Sequence, residues 1–246
     1  MVPFAYSAAP SLQEAIERAE AHIGAEFIAG GTDMLQLLQE GVRAPEQLVD
    51  LNELPLADIE VTGDGIRIGA LARMAEVADN RDVQESFPVV VQALLASASP
   101  QVRNMATIGG NLLQRTRCLY FRDVATPCNK REPGSGCPAQ DGENPMNAVL
   151  GSSPHCNAAY PGDLAVALVA LDAKVEIVGV KGRRTMLVED LHRLPGDTPH
   201  IETVLEPGDI ITAVFIPVSH LLLLGFNLVL AQRVMVTPAV AINDVA

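Results

Sequence analysis

Tryptophan is absent from this 246-residue chain, and tyrosine and phenylalanine are scarce, with three and six copies. Recognition of single strands by stacking bases on aromatic platforms is therefore excluded. Basic residues are also few: 17 Lys and Arg against 30 Asp and Glu give a net charge of −13. That balance excludes nucleic acid and anionic membrane surfaces as partners, because both need a basic footprint. The first residues, MVPFAYSAAPSLQEAIERA, lack a basic segment followed by an apolar one, so no secretory signal is expected. Reduced thiols and a cytoplasmic location are the default. No apolar run approaches the roughly 20 residues of a membrane span. The longest, Leu221–Ala231, is broken by Asn227 and followed by Gln232 and Arg233; it reads as buried or misformed, not spanning. No internal repeat or low-complexity tract is present. No catalytic base, nucleophile or triad stands out, so the catalytic set is empty.

What is there is concentrated. All four cysteines, Cys118, Cys128, Cys137 and Cys156, fall within residues 115–161, a long stretch rich in Gly, Pro, Asn and Ser. Cysteines used as small core hydrophobes scatter along a chain, whereas four in one irregular loop suggest a ligand set converging on one point. Soft thiolates select zinc, Cu(I) or iron–sulfur clusters. Structural zinc sites usually present close C-x₂₋₄-C pairs, and none exists here. Arg115, Arg117, Arg122, Lys130 and Arg131 accompany the loop, either as charges that offset an anionic cluster or as solvated loop charge. His155 precedes Cys156 and is expected to face solvent or backbone.

Along the chain, Ser11 reads as an N-cap with Glu14 completing a capping box, and the apolar spacing predicts a helix over 11–22 that stops near Gly24. A strand over 26–29, a helix over 34–40 stopped by Gly41, and a strand over 47–51 give an α/β unit with short parallel strands in residues 1–55. After Pro55, residues 59–62 and 66–69 flank a Gly63-Asp64-Gly65 turn and predict a β-hairpin. Helices are expected over 71–79, 87–97 and 164–171, and strands over 174–180, 186–188 and 210–216, the last stopped by Pro217.

Two glycine-rich turns carry binding chemistry. Phe27-Ile28-Ala29-Gly30-Gly31-Thr32-Asp33-Met34 is a strand–turn–helix element whose glycines let peptide N–H groups approach a ligand; such groups favour a phosphate. Thr107-Ile108-Gly109-Gly110-Asn111 is a second turn of the same character. Each alone is equally consistent with a tight turn that binds nothing. Together they suit the two halves of a diphosphate. Neither is GxGxxG, and neither offers a Walker lysine.

FIAGGTDML, RIGALARMAEV, QVRNMATIGGNLLQ and YPGDLAVALVALDA, in this order and spacing, resemble the FAD-binding subunit of molybdenum-containing hydroxylases, the xanthine dehydrogenase, aldehyde oxidoreductase and carbon monoxide dehydrogenase family. The resemblance covers about residues 3–217. It implies a mixed α/β, two-subdomain vanillyl-alcohol-oxidase-like fold, with lobes at 1–55 and 56–217 and FAD wedged between them. Residues 27–34 and 107–111 would hold the cofactor, and Asp163 would lie near the flavin's ribityl chain or ring edge. A plain N-cap for the helix at Leu164 is the alternative role for Asp163.

The segments RTRCLYFRDVATPCNKREPGSGC and NAVLGSSPHC resemble a subgroup of periplasmic-type aldehyde oxidoreductases, and more loosely 4-hydroxybenzoyl-CoA reductase. The resemblance implies an extra [4Fe–4S] cluster on Cys118, Cys128, Cys137 and Cys156. It further implies an electron-transfer role, with a molybdenum-cofactor large subunit and a [2Fe–2S] small subunit as partners in a heterotrimer or a dimer of heterotrimers. A partner's twin-Arg signal would carry such a complex to the periplasm. Two departures stand against the family pattern. After Pro217 the chain reads VSHLLLLGFNLVLAQRVMVTPAVAINDVA where a C-terminal domain opening on a basic motif is expected; truncation or a shifted frame would explain residues 218–246. Asn144-Pro145-Met146-Asn147 has no Arg after the first Asn. The competing readings are an FAD-dependent reductase of the same fold acting on a nucleotide sugar, and a zinc-stapled or degenerate binding subunit.

Overall fold

The structure is a computed structural model that describes residues 2–218. The apolar run at 221–231 and the rest of the 218–246 tail beyond Val218 lie outside the described residues. Eight strands and nine α-helices are present among the described residues. None of these helices is long and apolar enough to cross a membrane.

The first sheet is small and parallel, in the order β1 (Ala5–Ala8), β3 (Gln47–Asp50), β2 (Ala25–Ile28). Gln47 of β3 stands in register with Ala5 on one side and Ala25 on the other. Parallel strands need crossover connections: α1 (Leu12–Ala21), burying Ala15 and Ile16, joins β1 to β2 past the central β3. Ser11 caps α1 by accepting the Glu14 peptide N–H at 3.2 Å. The expected capping box is only half formed, because the Glu14 carboxylate pairs instead with Arg18 one turn on, at 3.0 Å. Helix α2 (Met34–Gln39) follows β2 and ends before Gly41, whose φ of +74° is the left-handed geometry glycine tolerates.

The second sheet is antiparallel, in the order β4 (Ile59–Thr62), β5 (Gly65–Gly69), β8 (Ile210–Pro217), β6 (Lys174–Gly179), β7 (Gly182–Leu187). Alternate apolar side chains, Ile66, Ile68, Val175, Ile177, Val214 and Ile216, are almost wholly buried. They pack with α3 (Met74–Asp79), α5 (Pro88–Ser97) and α9 (Asp163–Val169) in the main core. Arg67 and Glu176 reach across β8 in a forked ion pair at 2.9–3.2 Å. A second core joins the two sheets: Ala15, Ile16, Val49 and Leu51 from the small sheet's layer meet Leu71 and Ile210 from the large one.

Several elements differ from the sequence reading. The AYSA strand β1 was not expected; it is a four-residue edge with Tyr6 60% exposed, so no alternation announces it. Helix α4 (Arg81–Ser86), capped by Asn80, fills what read as a connection. Residues 100–103 form a short α6 (Pro100–Arg103). The second glycine turn is α7 (Ile108–Leu112), and Cys118 opens α8 (Leu119–Arg122). Strand β7 starts at Gly182 rather than Met186. Helix α9 begins at Asp163, with Gly162 in the cap position and no side-chain cap bond. The N-cap role considered for Asp163 is therefore incorrect: the chain turns one residue earlier.

Candidate functional site

Strand β2 delivers residues 29–33 to the top of the small sheet. Gly31 adopts φ +70°, the left-handed region that disfavours any other residue. Among the described residues, the peptide N–H groups of Gly30, Gly31, Thr32, Asp33 and Met34 donate to no protein acceptor. Five donors on one tight turn without partners form an anion-binding concavity. Phe27 and Ala29 anchor the turn by packing on the core between the sheets, and the Ile28 carbonyl accepts the Leu51 N–H at 2.9 Å.

The second glycine segment is built differently. Thr107 caps α7, its hydroxyl accepting the Gly110 N–H at 3.2 Å. The N–H groups of Ile108, Gly109 and Asn111 bond the carbonyls of Ala72, Ala70 and Thr107 at 2.8–3.0 Å. Its amides are thus mostly spent within the protein, and what it presents is a bare surface. A Cβ on Gly109 would press on the Ala70 Cβ at 3.1 Å. Buried Asn111 keeps its Oδ1 without a protein partner.

The two segments lie side by side. Asn52 Nδ2 donates to the Ala29 carbonyl at 2.9 Å. Arg73 donates through Nη2 to Asn52 Oδ1 at 2.9 Å and through Nη1 to the Met105 carbonyl at 2.5 Å. Arg73 also pairs by backbone with Thr107. Gly30 abuts the Met105 carbonyl so closely that a Cβ there would overlap it. Unpaired amides, glycine surfaces and a cation at one place suit a dinucleotide's diphosphate, so the residues present fit FAD.

Asp33 faces the other way. Its carboxylate accepts the Arg115 N–H at 2.8 Å and pairs with Arg117 at 2.6 Å and Arg122 at 2.8 Å. Burial pushes this carboxyl up, but Arg122, the Arg115 N–H and Arg117 outweigh burial and hold it below the usual carboxylate range. Asp33 therefore ties the glycine turn to the cysteine loop. Asp163, by contrast, has no protein hydrogen-bond partner among the described residues, and burial pushes its carboxyl up.

Sequence reasoning passed over Asn52, Arg73, Tyr160 and His192. Tyr160 is partly buried and donates its hydroxyl to the Asn111 and Leu112 carbonyls at 3.2 and 3.0 Å; desolvation pushes its phenol far up. His192 stacks on it with ring centroids 4.2 Å apart and meets the Leu112 carbonyl through Nε2 at 2.9 Å. Burial pushes the His192 pKa down, and a carbonyl only accepts, so the ring is the neutral Nε2–H tautomer. The pair fastens the end of α7. RIGALARMAEV and YPGD, which contain Arg73 and Tyr160, were visible as motifs, but neither side chain had a spacing that assigned it.

In the cysteine loop all four thiols are free. Cys118, Cys128 and Cys137 share a small apolar cluster with Leu37, Phe121 and Ala139. Burial pushes the Cys156 thiol up; the Ala158 N–H and Lys130 act against this, and Cys137 and Cys128 add to the rise. Two sulfurs meet nitrogen donors: Asn147 Nδ2 lies 3.6 Å from Cys118 Sγ, and the Ala158 N–H 3.4 Å from Cys156 Sγ. Among the described residues no group of three or more His, Cys, Asp or Glu stands in metal-binding geometry. Three of the four thiols thus share one cluster and Cys156 lies outside it; thiolates of this kind are ligands that zinc, Cu(I) or iron–sulfur groups would take.

The cations around the loop are not solvated charge. Arg115 and Lys130 both pair with Glu202, Lys130 at 2.8 Å. Arg131 donates to the Tyr120, Phe121 and Thr126 carbonyls. His155 is half exposed, 3.4 Å from Asp197.

Residues 2–219 match the family model described as FAD binding domain in molybdopterin dehydrogenase. The chain is 48% identical over 219 residues to the aldehyde oxidoreductase FAD-binding subunit PaoB of Escherichia coli strain K12, covering 88% of this chain and 69% of that protein. It is 28% identical to the 6-hydroxypseudooxynicotine dehydrogenase complex subunit alpha of Paenarthrobacter nicotinovorans, covering 87% of this chain and 57% of the relative. In fold it resembles the solved quinoline 2-oxidoreductase of Pseudomonas putida 86, with a TM-score of 0.64 at 24% identity, over 89% of this chain and 61% of that one. It resembles Cu,Mo-CO dehydrogenase equally, at 0.63 over the same shares. The relatives are subunits of oxidoreductases, and this chain spans 57–69% of the curated relatives just named. The mixed α/β fold, the paired glycine segments and the match over residues 2–219 together make this chain a member of the family of FAD-binding domains in molybdopterin dehydrogenases.

Proposed function

We propose that the chain is the FAD-carrying electron-transfer subunit of a molybdenum-containing aldehyde oxidoreductase. It works beside a molybdenum-cofactor large subunit, which oxidises the aldehyde, and a [2Fe–2S] small subunit, which hands electrons on. The observation that carries this reading is the row of unpartnered N–H groups at Gly30–Met34 beside the bare α7 surface, in a chain 48% identical to an aldehyde oxidoreductase FAD-binding subunit. A nucleotide-sugar reductase of the same fold is disfavoured by the cysteine loop.

FAD supplies the chemistry of accepting electrons and releasing them to an acceptor. The protein's part is binding and orientation. The 29–34 turn donates peptide N–H groups to the diphosphate. Residues 1–55 and 56–217 form two lobes with the cofactor between them. Tyr160 and His192 fix the end of α7, so the Gly109–Gly110 surface does not yield when a ligand presses on it. Asp163, free of protein partners, offers its carboxyl to the ribityl or ring edge. In the 115–161 loop, Cys118, Cys128, Cys137 and Cys156 would hold a [4Fe–4S] cluster, with the Asn147 amide and the Ala158 N–H beside Cys118 and Cys156 sulfur.

The full chain, co-expressed with its partner subunits and then separated from them, tests this. One FAD, four iron and four sulfide per chain are expected, because a cubane holds four of each. Flavin-free folded protein overturns the main reading. FAD with one zinc and no iron overturns the cluster alone.

A further inference from the structure

We propose that Arg73 is a cofactor-binding residue: its guanidinium supplies positive charge to the FAD diphosphate and spans the two glycine segments that flank it. The inference rests on the FAD reading above and deepens it.

Arg73 touches both segments. Its backbone pairs with Thr107, and its Nη1 lies 3.1 Å from where a Cβ on Gly30 would stand. Its hydrogen bonds run to Asn52 Oδ1 and the Met105 carbonyl, both neutral oxygens. The nearby carboxylate, Glu76, accepts the Arg73 peptide N–H at 3.0 Å rather than the guanidinium. The positive charge is therefore uncompensated where it meets the turn. The cations reached through Asp33 do not substitute, because Arg117 and Arg122 are paired with that carboxylate. A guanidinium has five N–H donors, and Nε–H has no acceptor among the described residues. In a chain of net charge −13, the long-range field repels a dianionic diphosphate, so binding needs a local cation. A planar fork bonding two fixed oxygens on one side and an anion on the other is geometry that arginine has and lysine lacks.

The flavin-stripped full chain is titrated with FAD, ADP and riboflavin, at several salt concentrations, for wild type, R73Q and R73K, with the melting temperature recorded for each. R73Q is expected to weaken FAD and ADP by roughly 10- to 100-fold, the range for one charge-assisted hydrogen-bonded contact, and to flatten the salt dependence. Riboflavin, which lacks the diphosphate, keeps its affinity. R73K retains the salt dependence and recovers part of the affinity. If R73Q does not fold, R73K carries the test through a selective several-fold loss for FAD and ADP. Unchanged FAD affinity in the folded variants overturns the proposal. So does an equal loss for riboflavin, which marks a structural role only. Wild type that binds neither FAD nor ADP overturns the FAD reading itself, whereas wild-type binding that the variants match overturns only the role of Arg73.

Discussion

The Met105 carbonyl oxygen occupies the space that a side chain on Gly30 would need. The first glycine turn therefore rests directly on the segment leading into the second. Gly30→Ala must push the two apart, and overpacking of this kind costs about 1–3 kcal/mol. The expected result is a lower melting temperature together with loss of bound FAD. Gly63→Ala is the control, since a Cβ there meets nothing within 4 Å; it is expected to leave flavin content unchanged.

Asp33 sets an acid limit on the cysteine loop. Its folded carboxyl is held below the ordinary value of 3.8. Its contribution is therefore fully present above that value and is lost as pH falls through the lowered folded one. Asp33→Asn removes the charge and leaves Arg122, whose side chain is 13% exposed, with Glu40 at 3.2 Å as its remaining carboxylate partner. Loss of the charge-assisted hydrogen bonds costs about 1.5–3 kcal/mol at neutral pH. Thermal melts from pH 7 to pH 2.5 are expected to show a steeper acid loss for wild type than for the variant.

The four thiols should differ in reactivity in the cluster-free chain. Cys137 is the partly exposed one, whereas Cys118, Cys128 and Cys156 are buried, and burial pushes the Cys156 thiol up. Only the thiolate attacks an alkylating reagent. Mass-resolved alkylation at pH 8 is expected to label Cys137 first and Cys156 last. Equal rates would mean that the loop opens faster than it is labelled.

Phe121 organises that loop. It is 1% exposed, with Arg115 and Arg122 guanidinium carbons 4.9 and 5.9 Å from its ring centroid. Phe121→Ala is expected to cost about 3–5 kcal/mol and to lower iron content more than FAD content, measured on the same preparation. The distinction follows from its place in the cluster of Cys118 and Cys128.

Legibility in the sequence tracked how local the cause was. Ser11 capping α1, Gly41 ending α2 and the alternation of β4 and β5 are settled within a few residues, and the sequence reading placed all three. Residues 107–111 read as a turn but form a helix, because their amides are taken by Ala70 and Ala72, some forty residues away. Asp33 sits in a binding motif, yet its carboxylate is claimed by arginines of the 115–122 segment, a pairing that no spacing announces. Arg73 and Asn52 matter only once the two sheets have met. The four cysteines were legible as a group, while the burial that sets their reactivity was not.

Strand β8 sits in the middle of the larger sheet, between β5 and β6, with Gly65 opposite Pro217. On the ribosome, the β4–β5 hairpin must then wait with one edge bare while some 150 residues are synthesised. An uncovered edge is a template for mispairing with another chain. Biogenesis of this protein should accordingly be sensitive to chaperone supply until β8 closes the gap.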